Sequence, residues 1–223
     1  MARNVLVVAA HTDDEALGCG GTIAKHVADG DVVHAVFIAD GVSSRSNAEK
    51  EELDLRNNAA ANAHRILGIS QSFMLGFPDN RLDSRPLLEI VQALETVIDK
   101  VKPEIIYTHH IGDLNIDHEI THRAVMTACR PAPGSSVREI YAFEVLSSTE
   151  WNTPGVRPFT LSHYVDITDT IEKKLESLGA YELEMRESPH SRSLDHVRAL
   201  ARSRGHTVGT YYAEAFMTIR VIK

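Results

Sequence analysis

The sequence predicts an α/β protein built on a doubly wound, mainly parallel sheet. Two observations carry this. Short apolar runs alternate with amphipathic stretches four times over the first 130 residues, the pattern of repeated strand–helix–strand units with right-handed crossovers. The first run, residues 6–10, is apolar at every position, as in a strand covered on both faces. It stops abruptly at His11, Asp13, Asp14 and Glu15, and in open α/β sheets chemistry sits beyond the carboxyl ends of the strands.

The elements follow in order. Residues 14–29 read as a helix with Leu17, Ile23, Ala24 and Val27 on one side and Gly30 at its end. Gly18, Gly20 and Gly21 fall inside it and are read as letting the helix approach the sheet. Residues 32–39 form a second strand. The polar stretch 43–52 is expected to be a mobile loop running into a helix over 53–67, where Leu55, Ala59, Ala63, Ile66 and Leu67 recur at helical spacing. A third strand at 72–77 ends in the turn Pro78-Asp79-Asn80. A helix over 86–100 starts on Pro86, and a fourth strand covers 104–108. The run from His109 to His118 then leads into a helix through Cys129. After residues 131–134 the rhythm changes: strands at 139–146 and 163–167 with a loop at 151–158 between them, helices at 169–186 and 194–204, and a closing strand at 212–222. With no internal repeat, residues 1–223 are expected to form one domain, 1–130 as core and 131–223 completing a substrate pocket.

Composition excludes several functions. The net charge is −8 with no basic block, so no nucleic-acid surface is expected. The two cysteines, Cys19 and Cys129, form no Cys-x-x-Cys pair; this argues against a disulfide framework or thiolate zinc site and suits a reducing cytoplasm. No signal peptide is expected, since the first apolar run is short and stops at acids, and no run is long enough to span a membrane. The oligomeric state stays open, a homo-oligomer included. The 12 histidines supply neutral nitrogen ligands.

His11 and Asp14, three apart at a strand-to-helix turn, can face one cation, with Asp13 between them directed elsewhere. A third ligand must come from another strand end, and the His-rich stretch after the fourth strand offers His118 where the next helix begins. Two histidines and one carboxylate leave an open position, the catalytic zinc pattern; Fe2+ or Co2+ suits the same donors. Asp13 is then placed to take a proton from activated water. The plainer reading, acids capping a helix and complementing its dipole, explains Asp13 or Asp14 alone. It leaves His11 and the second His/Asp cluster without a task.

Rival motifs fit less well. His118-Glu119-Ile120-Thr121-His122 spells the H-E-x-x-H of metallopeptidases. Asn115 and Asp117, good N-cap residues, put His118 in the first helical turn, and this peptidase reading leaves the first cluster idle. A phosphoacceptor receiver needs an Asp ending the third strand and a Lys ending the fifth, where Gly76-Phe77 and Val145-Leu146 stand. A dinucleotide site needs glycines in the first turn, which is acidic here. The other class kept open is a catalytically inactive metal-binding module.

His11-Thr12-Asp13-Asp14-Glu15 is similar to the A-H-P-D-D-E signature of the zinc-dependent de-N-acetylases called the LmbE-like or PIG-L family. The stretch from Asp113 to His118 resembles that family's second zinc motif. The resemblance runs through most of the chain, including Arg56 and the tail 209–216. It implies a Rossmann-like three-layer sandwich of the LmbE-like deacetylase type. It also implies zinc on His11, Asp14 and His118, Asp13 as general base, and Arg56 near the substrate. The implied substrates are N-acetylated amino sugars or their glycosides, nucleotide sugars or lipid-linked conjugates, cleaved to amine and acetate. Two positions depart from the pattern. Thr12 replaces the usual proline and removes no ligand. Asn115 stands where several members carry a histidine that helps the oxyanion or leaving group, and an amide supplies no proton. That proton falls to Asp13 or His110. Asp117, grouped with the substrate-binding residues, is expected to orient a neighbouring group or cap the helix, and the polar segment 189–193, with His190 and Arg192, to line the sugar pocket.

Overall fold

The computed structural model describes residues 2–41 and 50–223. The expected loop at 43–52 therefore lies outside the described residues as far as residue 49. Among the described residues the strands are β1 (Asn4–Ala9), β2 (Val32–Ala39), β3 (Gln71–Phe77), β4 (Ile105–His109), β5 (Glu139–Phe143), β6 (His163–Asp166) and β7 (Ala213–Val221). The helices are α1 (Asp14–Ala28), α2 (Lys50–Leu67), α3 (Leu87–Val101), α4 (Ile116–Ala128), α5 (Ile171–Gly179) and α6 (Leu194–Val208).

The strands form one sheet in the order β3-β2-β1-β4-β5-β7-β6. β1 to β5 run parallel, as the alternating pattern predicts, while β7 is antiparallel to both β5 and β6. β1 is an interior strand, third of the seven, and the strand order reverses there, so the crevice at its carboxyl end is the topological switch point. Its alternate side chains feed two cores. Val5, Val7 and Ala9 pack on one face with Leu17, Ile23, Leu67 and Leu178; Leu6 and Val8 pack on the other with Ile90, Leu94 and Val125. The sheet is thus covered by α1, α2 and α5 on one side and by α3 and α4 on the other.

Helix α1 touches the sheet closely because of its glycines. A Cβ on Gly21 would lie 2.7 Å from Ile167, and one on Gly18 would collide with the Phe143 ring. The helix also breaks at Cys19, whose φ of −148° is not helical. Two elements fall short of their expected lengths. β5 stops at Phe143, and 144–148 leaves the sheet for the crevice. The helix expected over 169–186 stops at Gly179 because Tyr181 turns into the core and donates to Glu15 Oε1 at 2.6 Å. The segment that follows crosses back towards the crevice instead.

Candidate metal centre and cleft

The turn after β1 is tightly made. Asp13 sits at φ 114°, ψ −31°, a conformation that costs a non-glycine residue of order 1–3 kcal/mol and persists only where its surroundings fix it. Here they do. The Asp13 N–H donates to Glu15 Oε2 at 2.9 Å, and the His11 N–H donates to Asp14 Oδ2 at 2.9 Å. Arg56 binds the same turn through Thr12, with Nε to Oγ1 at 2.8 Å and Nη2 to the carbonyl at 2.7 Å. The threonine that replaces the usual proline thus supplies an acceptor that proline lacks.

The second half of the site comes from the ends of β3 and β4 and the start of α4. Asn115 caps α4, its Oδ1 accepting from the Asp117 N–H at 2.8 Å, which sets His118 in the first turn. The resulting cluster is buried: His11 Nδ1 and His118 Nε2 lie 3.4 and 3.3 Å from Asp14 Oδ2. Each histidine turns its other nitrogen to a carboxylate. His11 Nε2 is 3.0 Å from Asp79 Oδ1 and 3.1 Å from Asp117 Oδ2; His118 Nδ1 is 3.1 Å from Asp113 Oδ1. Carboxylates behind ligating histidines are the usual support of a metal centre, fixing ring and tautomer. One oxygen and two nitrogens within 4.8 Å of one another fit a divalent metal with an open position.

The electrostatics agree. Burial alone pushes the two imidazoles down, but Asp117, Asp14 and Asp79 hold His11 well above its ordinary value, and Asp14 and Asp113 hold His118 up at about 9. Burial pushes Asp14 up, and His118, His109 and His11 outweigh it, keeping it well below the usual range. The cluster attracts positive charge. His109, which the sequence reading did not single out, stacks on His118 with centroids 3.9 Å apart and accepts from the Ala10 N–H at 2.8 Å. Burial and the neighbouring His118 keep it well below its ordinary value.

A cleft of about 570 Å3 opens over this cluster, lined among others by His11, Asp13, Asp14, Arg56, Asn115, His118 and Arg192. Asp13 Oδ2 accepts from Arg192 Nη1 at 2.9 Å, and Oδ1 lies 3.5 Å from Arg56 Nη2. Burial raises the Asp13 carboxyl to about 6, with Arg192 and Arg56 opposing and Asp14 and Glu184 assisting. Arg56 also donates to Glu184 Oε1 at 2.8 Å.

Three expected site residues lie elsewhere. His110 faces away from the cleft: its Nε2 donates to the Arg157 carbonyl at 2.7 Å and its ring meets Phe159 edge-on. Asp117 is fully buried beneath the cleft, accepting from the Asn80 and Leu82 N–H groups at 2.7 and 3.0 Å. It anchors the loop after β3 and backs His11. His190 lies behind the cleft wall against Trp151. The H-E-x-x-H residues do not converge. Glu119 Oε1 pairs with Arg123 and Arg157, and His122 Nδ1 donates to the His109 carbonyl at 2.8 Å.

Fold and cluster define the class, an α/β enzyme with a candidate metal centre at the carboxyl edge of its sheet. The PIG-L family profile, described as GlcNAc-PI de-N-acetylase, matches residues 6–129, and the chain belongs to that family. Membership makes it an enzyme of the deacetylase class, a hydrolase of amide bonds. The chain is 34% identical over 136 residues to the uncharacterized deacetylase YaiS of Escherichia coli, covering 59% of this chain and 70% of that one. It is 29% identical over 190 residues to a probable N-acetyl-alpha-D-glucosaminyl L-malate deacetylase 2 of Bacillus cereus, covering 81% and 83%. A 4-oxalmesaconate hydratase of Pseudomonas putida is 29% identical over 197 residues, covering 79% and 72%. The fold matches that of N,N'-diacetylchitobiose deacetylase from Pyrococcus horikoshii with a TM-score of 0.80 at 22% identity, over 98% and 84% of the two chains.

No helix among the described residues is long and apolar enough to cross a membrane.

Proposed function

We propose that this chain removes the acetyl group from an N-acetylated amino sugar or its glycoside, nucleotide or lipid-linked conjugate, holding a metal on His11, Asp14 and His118. The observation that supports this most is the convergence of those three side chains beside the buried carboxylate of Asp13 in one cleft. Zinc suits the donor set, as do Fe2+ and Co2+. When bound, such a metal polarises the amide carbonyl and lowers the pKa of water towards neutrality.

The chain's own groups handle position and protons. Asp13, at about 6, is largely ionised at neutral pH and accepts a proton there; its value also lets it hand that proton on to the departing amine. Arg192 and Arg56 fix its carboxylate. Asn115 lines the cleft and offers an N–H to an oxyanion, but no proton. With His110 bonded away from the cleft, the amine's proton is assigned to Asp13. Arg192 and Arg56 are the groups proposed to meet sugar hydroxyls. Ser147, Trp151, Glu184 and Arg192 all line the cleft, which supports one domain with 131–223 completing the pocket. The free, buried Cys19 and Cys129 support a cytoplasmic location.

The test is metal content measured beside an acetate-release screen over N-acetyl sugars and their nucleotide and lipid conjugates. Stoichiometric metal and release from at least one acylated amine are expected. Metal-loaded protein that releases acetate from none of them overturns the proposal.

A further inference from the structure

The floor of the cleft is charged, while three of the described residues that line it are large, apolar and exposed. Leu114, Ile116 and Trp151 line its mouth with 56%, 38% and 53% of their surfaces exposed. Large apolar side chains gathered in the open at the edge of a binding cleft mark a contact surface. They come from adjacent loops: Leu114 and Ile116 from the turn into α4, Trp151 from the 3-10 turn after β5.

The surface is held in place. Ile116 opens α4 directly after the Asn115 cap. The Trp151 N–H donates to the Ser148 carbonyl at 3.2 Å. Its indole rests edge-on against His190, with centroids 5.6 Å apart and planes at 74°. His190 is tied down in turn, its Nδ1 accepting from the Arg192 N–H at 3.0 Å. His190, expected at the sugar pocket, instead braces Trp151.

Connectivity limits what can reach this rim. With the amide carbonyl at the His11–Asp14–His118 end, the ring on the amide nitrogen extends towards the mouth, and its aglycone lies further out. A pyranose presents an apolar C–H face, and an indole is the flat partner that buries it. One ring covers the indole and leaves Leu114 and Ile116 for whatever the ring carries. Resting on the deacetylase reading, we propose that Trp151 takes the apolar face of the sugar and that Leu114 and Ile116 take an apolar aglycone. Aryl or alkyl glycosides of the N-acetylated sugar are then preferred over the free sugar.

The test compares N-acetylglucosamine with its phenyl glycoside on the metal-loaded protein. The phenyl glycoside is expected to show kcat/KM about tenfold higher, through KM, as for partial burial of an apolar ring. That ratio should fall towards one in Leu114→Asn, whereas Trp151→Ala should raise KM for both probes alike and Trp151→Phe should restore much of that loss. Trp151 is the only tryptophan of the chain, so its emission reports occupancy directly; the phenyl glycoside should saturate the change at lower concentration than the free sugar. Equal kcat/KM for the two probes in the parent protein overturns the proposal, as does a preference that survives Leu114→Asn or a KM for both probes that Trp151→Ala leaves unmoved. If neither probe releases acetate, the deacetylase reading fails on these probes, and the emission titration alone decides the rim. Equal or absent responses to the two probes then overturn it.

Discussion

Lys174 and Glu214 lie against each other in the interior and together mend the break in α1. Where the helix fails at Cys19, Glu214 accepts from the Gly21 and Thr22 N–H groups at 3.0 and 2.7 Å, and Lys174 Nζ donates to the Leu17 carbonyl at 2.7 Å. The pair is 4% and 5% exposed. Removing one partner of a buried pair strands the other and costs about 3–5 kcal/mol. Glu214→Leu should therefore lower the denaturation midpoint sharply. Lys174→Met combined with Glu214→Gln, which removes the unpaired charge and keeps an acceptor, should recover much of the loss. An unmoved midpoint in Glu214→Leu would show that α1 needs no such repair.

His11→Ala, Asp14→Ala and His118→Ala should each abolish stoichiometric metal binding, read by elemental analysis after dialysis. His122→Ala should keep its metal, because that ring is bonded to the His109 carbonyl. Loss of metal in His122→Ala with retention in Asp14→Ala would reverse the assignment.

Asp13→Asn keeps the shape of the turn and removes the proton acceptor. Metal should remain bound while kcat falls by about 10²–10⁴-fold, the usual worth of a positioned acid–base group. Near-normal turnover by a metal-loaded Asp13→Asn protein would remove Asp13 from the chemistry.

Far from the cleft, Asp31 joins β2 to the start of the chain. Burial pushes its carboxyl up, but the Arg3 N–H at 2.9 Å, the His26 ring at 2.8 Å and the Arg3 guanidinium at 3.0 Å outweigh that and hold it below the usual range. A carboxyl whose folded value is depressed stabilises the fold above its unfolded value, about 3.9, and loses that contribution as pH falls through the folded value. Asp31→Asn should be less stable at neutral pH and show a flatter decline between about pH 5 and 3. Urea midpoints measured at several pH values check this; parallel curves for parent and variant would contradict it.

Much of the candidate site could be read from the chain because its residues sit at strand ends, where an acidic or histidine-rich break in an apolar run stands out. His11, Asp14 and His118 were legible for that reason. His110 was misplaced because neighbouring side chains at a strand end point to opposite faces: His109 turns to His118 and His110 turns away. Asp79 carried the same strand-end signal, in Pro78-Asp79-Asn80, but its contact with His11 needs the β3-β2-β1 order to be known. The hold of Arg56 on Thr12 is a tertiary contact between residues 44 apart, with no local trace. Helical periodicity overran α5 because it does not register that Tyr181 is drawn inward to Glu15.

His11 and Asp117 are 106 residues apart in the chain, yet the strands that deliver them, β1 and β4, are hydrogen-bonded neighbours. A chain emerging in order therefore presents Asp13, Asp14 and Glu15 long before His109 and His118, two of the three imidazoles that offset Asp14. Until β4 pairs beside β1, these acids stand together at the end of β1 and repel one another. The pairing that relieves the repulsion also brings His109 and His118 into place. The fold thus ties the candidate metal centre to the assembled sheet: His11, Asp14 and His118 meet only where β1 and β4 are paired.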